Sequence, residues 1–351
     1  MDRLAALVDD ALSRGLGSAA AISIGDGGVE VEQLIRGTVR RVPDVGAPID
    51  EATYFDLASV TKPMATAAIA MVLVGDGRLD LDFPVRRWLD NAQTQGSVRE
   101  LLGHAAGCTA HVEFFRKLKL GAANPRQELV DLAAREPTTF PGVHAVYSDL
   151  GYIQLGAVLE RAFGGSLEDA FAELVGRPLG IAARYPGMTA LAGSVATELD
   201  DRGLVCGRVH DENAYFGGGA CGHAGLFARI GDVATFAQAI VQTAAGDARG
   251  RFRPDVVNQF FTERGARNTS WRLGWDTPAA TPGVSHAGDR WPRTGAVGHL
   301  GFTGTSLWLD LPRRRWVALL TNRVHPTREG TAELIKALRR AVGDAVVEML
   351  G

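Results

Sequence analysis

The two ends of this chain are built alike, and that restricts its fold more than any other feature. Behind an amphipathic opening segment, MDRLAALVDDALSRGLG, Ala19 to Gly25 and Val29 to Arg40 read as strands. The Gly25-Asp26-Gly27-Gly28 turn between them is a hairpin signal. At the far end, Thr305 to Asp310 and Arg315 to Thr321 are strand-like runs joined by Leu311-Pro312-Arg313-Arg314. A helix is expected after them, roughly Thr327 to Leu350, where Ala332, Leu334, Ile335, Leu338 and Val342 recur at helical spacing. Between the ends, Gln127 to Arg135, Leu150 to Phe163 and Leu167 to Val175 read as amphipathic helices separated by Pro/Gly loops. The expected architecture is an α/β fold of the α+β type. Residues 1–75 and 255–351 form an antiparallel sheet flanked by the terminal helices, residues 76–254 form an inserted, mostly helical domain, and the active site lies in the cleft between them.

Composition serves mainly to exclude. With 37 basic and 40 acidic side chains the net charge is −3, and no basic run offers a nucleic acid a phosphate-binding surface. The longest apolar stretch, around Ala65 to Val74, falls short of the ~20 residues of a membrane span. The opening segment carries Asp2, Asp9 and Asp10 and does not read as a signal peptide. Cys108, Cys206 and Cys221 are far apart and read as free thiols, which suits a reducing compartment. The expected location is therefore the cytoplasm, and an export signal ahead of Met1 would change it to the periplasm or the exterior. The expected partner is a small molecule or a short peptide, with no cofactor and no metal, and nothing here sets the oligomeric state. One imbalance is informative: only four of the basic residues are lysines, Lys62, Lys117, Lys119 and Lys336.

Lys62 stands in Ser59-Val60-Thr61-Lys62-Pro63, which opens the apolar run Met64 to Val74. Proline is tolerated only in the first turn of a helix, because it lacks the N–H that bonds four residues back. Ser59 is four back from Pro63, so it sits at or just before the helix start. A hydroxyl there lies beside unpaired N–H groups and the positive end of the helix dipole, where a developing oxyanion is stabilised. Lys62, three residues on, projects from the same face. If burial lowers its pKa, the neutral amine can take the serine proton. Arginine could not replace it, because it stays protonated.

Two further segments carry chemistry. In Tyr147-Ser148-Asp149-Leu150-Gly151, Ser148 or Asp149 reads as a helix N-cap, and Tyr147 as a packing residue or a second acid/base sharing its phenol with Lys62. Gly298-His299-Leu300-Gly301-Phe302-Thr303-Gly304 leads into the strand from Thr305. Its glycines mark a turn or bulge, or let a substrate backbone approach a sheet edge, with the amide near Phe302 completing an oxyanion hole.

Ser-x-x-Lys, Tyr-Ser-Asp and His-x-Gly in this order resemble the class C β-lactamase and penicillin-binding protein superfamily. Leu101 to Gly107, Val209 to Ala214, Gly222 to Phe227, Gly274-Trp275-Asp276 and Thr321 to Pro326 agree with it, and the likeness spans roughly residues 15 to 345. The resemblance implies a β-lactamase/transpeptidase-like fold and a serine hydrolase with an acyl-enzyme. Ser59 would be the nucleophile, Lys62 its base, and Tyr147 the proton relay to the leaving group. The Ser59 and Phe302 amides would hold the oxyanion, while His299, Gly301 and Asp149 line the site. Two positions depart from the pattern: Asp149 replaces the usual Asn, and His299-Leu300-Gly301 replaces Lys-Thr-Gly. A histidine is only partly charged near neutral pH and Leu300 has no hydroxyl, so an ester, amide or peptide substrate becomes more plausible than efficient β-lactam hydrolysis. A D-Ala-D-Ala carboxypeptidase and a non-catalytic binding protein on the same fold are the alternatives.

Other motifs are weaker. Gly217 to Gly222 fits G-x-G-x-x-G, but no good strand precedes it, so it reads as a loop wall near the substrate. His104, His210 and His223 read as hydrogen-bonded structural histidines before metal ligands.

Overall fold

A computed structural model describes residues 2–351. Its main sheet has five antiparallel strands in the spatial order Val29–Gly37, Ala19–Asp26, Arg315–Thr321, Ser306–Asp310, Ala296–Leu300. The two chain ends thus meet at the sheet centre, with Ile22 opposite Leu319 and Ile24 opposite Val317. Strand alternation divides the apolar side chains between two cores. Ala20, Ile22, Ile24, Val317 and Leu319 face the terminal helices Asp2–Ser13 and Ala332–Leu350, against Leu4, Val8, Leu338 and Val342. Ala19, Ala21, Trp316, Ala318 and Leu320 face the larger core on the other side.

Three features differ from the sequence expectation. The sheet has a fifth strand, Ala296–Leu300, where a turn or bulge was expected. Its Gly298 pairs with Trp308, and a β-carbon on Gly298 would collide with that indole ring. Glycine here serves strand packing, so the segment carries no β-propensity signal. The helix Ile230–Ala244 falls within the expected insertion, yet it packs directly on the two central strands. The apolar run after Ser59 is not a regular α-helix from its start. Ala58–Val60 forms a 3₁₀ turn, Lys62–Ala67 a wider π-helical stretch, and only Ala68–Gly75 is α-helical. Pro63 donates no N–H, which fits opened first turns, and π geometry is common at functional sites. Ala58–Gly75 has a mean hydropathy of 1.4 and is 83% buried, as the central core helix of the molecule.

Candidate active site

Three separate chain segments converge on the side chain of Lys62, which is 0% exposed. Its Nζ lies 2.6 Å from the Tyr147 hydroxyl, 2.8 Å from Asp149 Oδ1, 3.1 Å from Ser59 Oγ and 3.2 Å from the His223 carbonyl oxygen. The other three lysines are exposed. Local sequence explains each position. Ser148, not Asp149, caps the helix Asp149–Phe163, its Oγ accepting from the Gly151 amide at 3.0 Å. Asp149 is thereby freed to face Lys62, and Tyr147 sits just outside the helix. Ser59 follows Ala58, whose φ of +47° lies in the left-handed region disfavoured for a residue with a β-carbon. Asp56 holds that bend, accepting from the Ala58 amide at 2.8 Å and the His210 amide at 2.7 Å.

Charge in this cluster differs from the sequence expectation. Burial alone would push the Lys62 ammonium down, but Asp149 and the Tyr147 oxygen outweigh it, and the group ends above its ordinary value. Lys62 is a held cation and not a resting neutral amine. Burial likewise raises the Tyr147 phenol and keeps it protonated. Burial opposes ionisation of Asp149, but Lys62 and then His111 and His223 hold it well below the usual carboxylate range. Behind it, His223 donates to Asp211 at 2.9 Å, and its pKa is up at about 10, Asp211 outweighing the effect of burial.

His299 also departs from its expected part charge. Burial first, and the Lys62 charge second, push it down to about 3, so it stands neutral at ordinary pH. Its Nδ1 lies 2.9 Å from its neighbour's carbonyl oxygen at Leu300, and its Nε2 is buried without a protein partner. It packs at a tilt against an aromatic wall of Tyr147 and Trp271, centroids 6.1 and 5.7 Å away. His104, with φ of +57°, sits inside that wall and accepts from the Ser148 amide at 3.1 Å. Burial keeps it neutral for that role.

The turn after His299 is held rigidly. Gly301 N donates to Thr305 O at 2.7 Å, and Thr305 Oγ1 to Leu57 O at 2.8 Å, tying the turn to the Ser59 segment. Arg339, buried on the C-terminal helix, donates to the carbonyls of Gly301 and Thr305, both at 2.7 Å. Arg323 donates to Phe302 O at 2.7 Å. The Phe302 ring, 48% exposed, stacks on His210 at 5.7 Å and carries the Arg323 guanidinium at 4.5 Å. The Phe302 amide N–H makes no backbone hydrogen bond among the described residues. It is a donor free to receive an oxyanion.

A cleft of about 620 Å³ opens over these groups, lined by Ser59, Tyr147, Asp149, His299, Gly301 and Phe302 among others. All the sequence-named site residues except Lys62, which lies beneath the floor, line it. Gly217 to Gly222 do not line it, correcting the expected loop wall. Gly222 instead packs against the backbone of Tyr152, behind Lys62. Sequence reading passed over His111, Trp271 and Arg339 and met Asp276 and Arg323 only inside family-like segments, with no role given, yet all five line the cleft. Motif order and the rarity of lysine pointed inward, and no comparable signal marked His111, Trp271 or Arg339. His210 pairs with Glu198 at 2.8 Å, and no cluster of potential metal ligands occurs among the described residues.

The sequence profile of the Beta-lactamase family matches residues 4–340. The chain belongs to the β-lactamase family. Among its relatives is an Escherichia coli K12 protein named "Putative D-alanyl-D-alanine carboxypeptidase", 28% identical over 86% of this chain and 73% of that one. Among solved structures, the octameric penicillin-binding protein homologue from Pyrococcus abyssi superposes with a TM-score of 0.74 at 19% identity, covering 100% of this chain and 77% of that one. EstCE1, described as a hydrolase with promiscuous acyltransferase activity, gives 0.73 at 22% identity, covering 97% and 98%. These two likenesses establish the β-lactamase/transpeptidase-like fold, and family membership makes the chain a hydrolase.

Proposed function

We propose that this β-lactamase-family hydrolase works by serine acyl transfer, with Ser59 as nucleophile on an ester, amide or β-lactam carbonyl. The observation that carries this reading is the buried Lys62 ammonium within reach of both the Ser59 and Tyr147 oxygens. With Lys62 charged and Tyr147 neutral at rest, the proton moves by relay. Ser59 passes its proton to the Tyr147 oxygen as Tyr147 passes its own to the leaving group. Lys62 stays charged throughout and stabilises negative charge on whichever oxygen carries it. The Phe302 amide, with that of Ser59, receives the carbonyl oxygen.

The test is acylation. A p-nitrophenyl ester or a fluorescent penicillin is expected to add its acyl group to the Ser59 peptide, read by mass spectrometry, and to leave Ser59→Ala unmodified. A wild-type protein that neither reagent acylates overturns the reading.

A second reading, a D-alanyl-D-alanine carboxypeptidase, is favoured by the name of the relatives and by the cleft itself. With His299 neutral, Arg339 and Arg323 are the buried cations nearest the Gly301–Phe302 turn, and neither pairs with a carboxylate among the described residues. They suit a substrate ending in a carboxylate. Release of D-alanine from a D-Ala-D-Ala peptide, and its loss when the peptide is C-terminally amidated, tests this reading.

A further inference from the structure

An oxyanion held by the Ser59 and Phe302 amides requires those two groups at a fixed separation, although they come from distant segments. Neither segment fixes its own amide. Ser59 follows a residue strained at φ +47°, and Phe302 lies in a turn past the last ladder pair of its strand, Leu300 with Ser306.

Asp56, 2% exposed, reaches both amides by three routes. Its Oδ1 accepts from the Ala58 amide at 2.8 Å, which sets the bend directly before Ser59. Its Oδ2 accepts from the His210 amide at 2.7 Å, and the His210 ring stacks on the Phe302 ring, centroids 5.7 Å apart. Its main-chain oxygen accepts from Thr303 Oγ1 at 2.8 Å, one residue past Phe302. Asp56 itself is anchored outside the site, paired with Phe227 in a short two-stranded sheet.

The side chain suits this task. Two N–H groups aimed at one buried side chain need two acceptor oxygens, and at this length only an ionised carboxylate has both. Asparagine would turn an NH2 toward one of the donors. Asp56 makes no ion pair among the described residues, and burial lifts its carboxyl above the ordinary value despite the two amides. A buried carboxylate without a paired cation is costly, so its presence points to a task that a neutral side chain does not perform. Resting on the acyl-enzyme reading above, we propose that Asp56 is the positioning residue of the oxyanion hole, setting the Ser59 and Phe302 amides against each other through Ala58, His210 and Thr303. It touches no reacting atom, and no proton passes through it.

Asp56→Asn keeps the shape and removes one acceptor. With the p-nitrophenyl ester as probe, kcat/KM is expected to fall by about 10²-fold, the scale of a misplaced oxyanion donor. Two further readouts separate positioning from support of the fold. Phenylboronic acid adds to a nucleophilic serine as a tetrahedral adduct, with an oxygen between the same two amides. Its inhibition constant should therefore rise by about the factor by which kcat/KM falls. In an Ala58→Gly background the loss caused by Asp56→Asn should shrink by about fivefold or more, because glycine takes a positive φ without help. Thr303→Val breaks the third route and leaves Asp56 in place, and it should lower kcat/KM and boronate affinity together by about tenfold.

A folded Asp56→Asn protein within about threefold of the wild-type kcat/KM overturns the proposal. So does a loss that leaves boronate inhibition unchanged, or one of equal size in both backgrounds. If Asp56→Asn does not fold, Thr303→Val with wild-type kcat/KM and boronate inhibition overturns it instead. A wild-type protein that the ester does not acylate at Ser59 is a separate failure, seen before any variant is made, and it removes the acyl-enzyme reading itself.

Discussion

The main sheet ends in two edge strands that are treated in opposite ways. Val29–Gly37 presents Glu30, Glu32 and Arg36 to solvent, with only Leu34 fully buried. Charged side chains on an exposed edge discourage pairing with another strand. Ala296–Leu300 is buried for four of its five residues and carries no such charge. Its edge is covered at Gly298, where Asp276 exchanges hydrogen bonds of 2.8 and 2.9 Å, and it opens into the cleft beyond. The first edge is guarded against any partner. The second is enclosed, so that only something small enough to enter the cleft reaches the free Phe302 amide. An unpaired edge is a liability on the surface and an asset inside a cavity.

Substitutions on the two edges and at the residues they face should separate in size. Ser59→Ala, across the cleft from the open edge, is expected to lower kcat/KM by at least roughly 10³-fold with little change in thermal stability. Retained turnover would leave the open edge facing no chemistry. Gly298→Val forces a side chain into space held by the Trp308 ring. It should cost about 1–3 kcal/mol by denaturant titration and lower activity as well, because the Phe302 amide moves with the strand. Asp149→Asn removes the charge that keeps Lys62 protonated. Lys62 then loses its proton at lower pH, so the alkaline limb of the acylation rate should shift downward while the maximum stays within about tenfold. A new acid limb in its place would restore the neutral-amine role that the sequence suggested. Smallest of all, Val31→Thr on the guarded edge should change stability by less than about 0.5 kcal/mol and leave kcat alone. A larger effect would mean that edge has a partner.

How much was legible in the sequence follows from which signals are local. Hairpin turns and helical periodicity gave the central strands and the terminal helices, because those patterns need only neighbouring residues. The Ser59, Lys62 and Tyr147 meeting was legible through motif order and through lysine's rarity. Ala296–Leu300 was not, because Gly298 owes its place to an indole on the next strand. The charge states were not, because Lys62 has one environment if burial decides and another if Asp149 does. The distance of 2.8 Å between them settles it. His111 and Arg339 come from segments whose patterns speak of a loop and of a helix face, and only the fold brings them to the cleft.

The grip of Arg339 on Gly301 and Thr305 has a consequence in time as well as in space. Ser59, the proposed nucleophile, and Lys62 and Tyr147 precede residue 150, whereas Arg339, which clamps the Gly301–Phe302 turn, comes much later in the helix Ala332–Leu350. A chain emerging from the ribosome therefore exposes Ser59 long before the turn opposite it can be locked. On the proposed reading, the Ser59 hydroxyl faces a complete site only once the helix Ala332–Leu350 has docked on the sheet.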